Sequence, residues 1–159
     1  MAPDLHGDLQ PMAFLLGMWR GTGTGEDPTI EPFVYREEVV FEHVGEPYLL
    51  YRQESWSRDG DEPFHFERGF LRPGDDGVVE LCLAHPNGVT EISYGAVAGQ
   101  TLELDSGADG VVRTRTGSIA NRLVRRYRVD GSTLTYDVDM ATDRTPLARH
   151  LAATLERVG

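Results

Sequence analysis

Five histidines and a single cysteine are the side chains through which this sequence could most readily do chemistry. The histidines are His6, His43, His65, His85 and His150, and no two stand at the spacing of a local metal pair such as HExxH. No GxSxG elbow and no local Ser-His-Asp signature is present, so catalysis by side chains alone has little support. Cys82 stands alone, which excludes an internal disulfide framework and any cysteine-rich zinc or iron–sulfur site. Its neighbours in VELCLAH suggest a strand and a small buried hydrophobe.

His150 has the most suggestive setting. In PLARHLAATLERV a helical period puts Leu147, His150, Leu151, Thr154 and Leu155 on one face. As a strand, His150 sits with Ala152 and Thr154, opposite Leu151, Ala153 and Leu155. Either way the imidazole lies beside small or apolar side chains. A lone histidine there is commonly a satisfied core residue, but a neutral imidazole facing a dry pocket could also hold a haem iron from one side. His65 in PFHFERG is a weaker candidate that would face the interior, and His85 in AHPNG reads as a turn residue.

The composition removes several function classes. All fifteen basic residues are arginine, which excludes a Schiff-base lysine, a pyridoxal phosphate anchor and a P-loop lysine. A formal charge of −11 argues against general nucleic-acid binding. No run of about 18 apolar residues occurs, and the start lacks a basic segment followed by a long apolar one, so the expected location is the cytoplasm.

The elements that must position these residues read almost entirely as strands. Residues 1–159 form one expected domain, with 1–9 a mobile start leading to a short helical turn over 10–16. FLLGMWRGTGTG follows. Trp19 amid glycines suits a plug at the base of a small barrel, and the glycine spacing does not suit a phosphate cradle. The prolines of EDPTIEP suggest a rim loop. Extended stretches are then expected at 33–44, 48–57, 65–71, 78–84, 89–98, 101–105, 123–129 and 134–140, with a loop at 106–110. Closed by the last segment as a strand, this makes an all-β fold, a roughly ten-stranded antiparallel up-and-down β-barrel with short helical turns, similar in plan to lipocalins and fatty-acid-binding proteins. A sandwich is the alternative. Such a barrel has room for one apolar ligand.

Four segments in order carry a family resemblance. Gly17-Met18-Trp19-Arg20-Gly21-Thr22-Gly23 fits GxWxGxG, and with DPTIEPFVYREEVVF, LAHPNGVTE and PLARHL the chain resembles the nitrobindin family from about residue 14 to 157. The resemblance implies an antiparallel barrel with one haem b in an open pocket. It assigns the axial iron ligand to His150 and a haem-contacting rim position to Thr29. It implies reversible nitric oxide binding, isomerisation of peroxynitrite to nitrate by ferric iron acting as a Lewis acid, and a homodimer. Trp19 would be structural. The loop before Thr29 carries Glu26 and Asp27, two acids expected to repel a haem propionate, with Arg36 or Arg52 as compensating cations. Two other readings use the same pocket: a non-catalytic nitric oxide carrier or sensor, and a haem-free barrel for a fatty acid or other apolar molecule.

Overall fold

The computed structural model describes residues 1–159. Its strands are β1 (Gly17–Asp27), β2 (Ile30–His43), β3 (Leu49–Ser57), β4 (Pro63–Pro73), β5 (Val79–His85), β6 (Val89–Ala98), β7 (Thr101–Asp105), β8 (Val111–Arg113), β9 (Arg122–Asp130), β10 (Thr133–Ala141) and β11 (Ala148–Val158). Neighbours pair antiparallel around a ring that β1 and β11 close, and β5 with β6 joins the other side. Ten strands make the barrel. The short β8, just after the loop expected at 106–110, pairs only with the start of β6, at Val89, Thr90 and Glu91.

Alternation sets which side chains point inward. Leu134, Tyr136 and Val138 on β10 are buried, and so are Ala153 and Leu155 on β11. The terminal segment is therefore a strand, because β1 and β10 both need a partner there and an open pair of edges would leave their ladders unsatisfied. On β5 the inward set is Val79, Leu81 and Leu83, which puts Cys82 on the outer face, half-buried and not in the core.

The base of the barrel is filled by the segment before β1. A 3-10 helix spans Gly7–Leu15 and sinks Leu9, Met12 and Leu15 into the core beside Trp19, Leu49 and Leu71. Leu9 is fully buried, so the ordered part begins earlier than the mobile start expected through residue 9. Trp19 is fully buried as well, and its indole N–H donates to the Leu15 carbonyl at 2.9 Å. Arg157 lies over the indole face at 4.2 Å from the ring centroid.

At the opposite end of β1 the expected rim loop contracts to a turn. β1 runs to Asp27 and β2 starts at Ile30, leaving only Pro28 and Thr29 between them. The Asp27 carboxylate accepts the Thr29 N–H at 2.8 Å and the Thr29 hydroxyl at 2.6 Å, closing the chain on itself. Pro32 is accommodated because the β1–β2 register shifts between Gly25 and Asp27.

Candidate functional site

A cavity of about 530 Å³ opens at this end, within the range of small-molecule sites. Phe33, Val138, Met140 and Leu151 contribute apolar wall, and among the polar side chains that face it are Gln53, His65, Glu67, His85, Arg125 and His150. The GxWxGxG motif supports this wall from outside. A Cβ at Gly23 would lie 2.4 Å from the Tyr35 ring, so the bare backbone is what lets Tyr35 lie flat against β1. Gly21 is held equally close, against the β11 backbone at Thr154. Gly17 opens β1 and Trp19 plugs the base.

His150 reaches the cavity through a local irregularity in β11. Val138 pairs with Leu151 and Asp139 with Arg149, so His150 is an extra residue without a partner on β10. A bulge of this kind bends a strand and re-aims a side chain, which explains how His150 and its neighbour Leu151 both line the cavity despite opposite strand parity. The imidazole Nδ1 lies 2.9 Å from the Glu26 carbonyl oxygen. A carbonyl only accepts, so Nδ1 carries the proton and Nε2 keeps its lone pair. This tautomer is the one that suits a haem iron, and the cavity fits the group on that observation.

Thr29 stands exposed at the tip of the β1–β2 turn and is not part of the cavity wall; its hydroxyl is spent on Asp27. That bond and the Thr29 amide hold the Asp27 carboxyl below its ordinary range. Neither arginine expected to compensate the acids lines the cavity. Arg52 pairs with Glu38 and Glu54 on the outer face, and Arg36 lies beside Gly60.

The sequence reading missed the cavity floor. Arg125, almost fully buried, sends Nε to Glu91 Oε2 at 2.9 Å and Nη2 to Glu91 Oε1 at 2.7 Å. It also donates to Glu67 at 3.0 and 3.2 Å. Tyr51 donates to Glu67 at 2.9 Å and Ser93 to Glu91 at 2.8 Å. Burial would raise both carboxyls, but Arg125 and the histidines outweigh it and carry Glu91 down to about 2 and Glu67 well below the usual range. His85 ends β5 and opens the expected turn, its carbonyl accepting from the Gly88 N–H, but its side chain faces the cavity and its Nε2–H donates to ionised Glu91 at 3.2 Å. Its Nδ1 is therefore unprotonated and accepts from His65 Nε2 at 3.0 Å.

A second network sits beside the first. Tyr136 donates to Glu37 at 2.8 Å, Gln53 donates to the same oxygen at 2.9 Å, and the Tyr35 hydroxyl lies 3.0 Å from that of Tyr136. Here no cation is close enough, and burial pushes the Glu37 carboxyl up to about 7. The signal for both networks was strand parity. Glu37 shares a face with Tyr35 and Val39, Arg125 with Leu123 and Tyr127, and Glu91 with Val89, so each is a charged residue at an inward position.

Comparison with known proteins agrees with this geometry. Residues 8–157 match the model of the THAP4-like, heme-binding beta-barrel domain. A peroxynitrite isomerase of Nocardia farcinica is 46% identical over 155 residues, covering 96% of this chain and 92% of the relative. Peroxynitrite isomerase 2 of Mycobacterium avium is 45% identical over 159 residues, covering 99% of each. The crystal structure of Rv2717c from M. tuberculosis superposes with a TM-score of 0.92 at 46% identity, covering 98% of this chain and 100% of that one. With a closed ten-stranded barrel, a cavity at its mouth and a histidine of the right tautomer inside it, the chain belongs to the nitrobindin family of haem-binding β-barrels.

Proposed function

We propose that this protein isomerises peroxynitrite to nitrate at a ferric haem b held by His150 Nε2. The observation that carries the reading is the Nδ1–H bond from His150 to the Glu26 carbonyl, which leaves one nitrogen, in the cavity wall, with a free lone pair. The names of relatives 45–46% identical over nearly the whole chain support the reaction. Thr29, at the turn next to Glu26, is the proposed rim contact.

Peroxynitrite and nitrate contain the same atoms and charge, so the reaction needs no reductant and consumes no proton. Bound haem supplies a Lewis-acidic iron for the peroxynitrite oxygen. The protein's own share is to fix the imidazole through Glu26, to hold the reacting fragments together and to exclude water with apolar wall from Phe33, Val138 and Leu151. Arg125 supplies no free charge for the anion, because both of its faces are taken by Glu67 and Glu91. Reversible nitric oxide binding would use the same haem.

The proposal includes a cytoplasmic homodimer. An outward row in register, Phe70, Cys82 and Ile92, lies next to Tyr48 and exposed Tyr94 and supports pairing through this face. Stopped-flow peroxynitrite decay on the hemin-loaded protein tests the reaction. Accelerated decay with nitrate as product supports isomerisation; stoichiometric haem with no acceleration leaves a nitric oxide carrier or sensor.

A further inference from the structure

We propose that the cavity floor is a divalent transition-metal site of the zinc class, with His65 Nε2, His85 Nδ1 and Glu67 Oε1 as ligands. It goes beyond the haem reading and does not depend on it. The three atoms are separated by 3.0 Å between the histidines, 3.5 Å from His65 to Glu67 and 3.6 Å from His85 to Glu67. Ligand atoms about 2.0–2.1 Å from a tetrahedral ion stand roughly 3.3–3.4 Å apart. The point equidistant from these three lies about 2.0 Å from each, so little rearrangement is needed. Two histidines and one glutamate form a donor set typical of catalytic zinc, with the remaining position open to the cavity.

The surroundings are built as a supporting shell. His85 Nε2–H donates to Glu91, which fixes the ring and leaves Nδ1 unprotonated for the ion, and Arg125 and Ser93 hold Glu91 in turn. The other oxygen of Glu67 is held by Tyr51 and Arg125. Two carboxylates and one guanidinium leave the floor with a net negative charge, so a divalent cation that replaces the single proton between His65 and His85 is offset in part by charge already present. Arg125 Nη2 also touches Glu67 Oε1, at 3.0 Å, and its charge moderates the affinity.

Calorimetric titration of the haem-free full chain with zinc chloride tests the site, in parallel with His150→Ala, His65→Gln and Glu91→Gln variants whose fold is checked by circular dichroism. The expected result is one equivalent of Zn²⁺ retained in His150→Ala, weakened at least about 100-fold in His65→Gln and about 10–100-fold in Glu91→Gln. His65 is half-exposed, so its variant keeps the test usable if Glu91→Gln does not fold. The cobalt form should show the visible bands of a four-coordinate ion and lose them in His65→Gln. Absence of binding by the folded chain, binding unchanged in His65→Gln, or binding lost in His150→Ala would each overturn the site.

Discussion

The imidazole of His150 donates from Nδ1 to the main-chain carbonyl of Glu26, 2.9 Å away across the β1–β11 seam. The acidic stretch before Thr29 therefore contributes through its backbone. Its side-chain charges are exposed or turned to Thr29.

That distinction is measurable. Glu26→Gln should leave the Soret maximum unchanged, since the carbonyl remains. Hemin affinity should rise only modestly at low salt and converge with wild type near about 0.15 M, where the screening length is about 8 Å.

Glu37 makes stability fall with rising pH. Its folded pKa is raised from 4.5 to about 7, so its contribution is fully present below pH 4.5 and is lost as pH rises through about 7. The swing is about 3 kcal/mol as an upper figure for this carboxyl. Glu37→Gln keeps an acceptor for Tyr136 and should flatten urea midpoints over that window, leaving the variant more stable than wild type at pH 8.

Arg125→Leu should destabilise by about 3–5 kcal/mol, because Glu67 and Glu91 would be left as buried charges without a partner. The effect should shrink in acid as the unpaired carboxyls take up protons. Urea unfolding at pH 7 and pH 5 measures both points.

Gly23→Val should cost about 1–3 kcal/mol and displace Tyr35, whose ring occupies the space of the new side chain. Thermal melts report the loss, and a changed near-ultraviolet tyrosine signal reports the broken Tyr35–Tyr136 contact.

Strand order, barrel closure and the Trp19 plug were legible because alternation along segments such as Leu134–Met140 and the GxWxGxG motif depend on local pattern. The aim of His150 was not. Parity placed it with Ala152 and Thr154, and only the pairing of β10 with β11 reveals the bulge that turns it to the cavity. The floor was hidden for another reason. His65, Glu67, His85, Glu91 and Arg125 come from four strands and meet only once the barrel closes, so no sequence spacing records them. The tight Asp27–Thr29 turn likewise depends on a side chain bonding its own backbone, where two prolines had suggested a longer loop.

The most direct test of the account is a hemin titration followed by absorbance, on wild type and on His150→Ala with folding verified in both. Wild type should show a sharp Soret band saturating at one haem per chain, and the variant should show none. An equal band in His150→Ala would contradict axial ligation by His150.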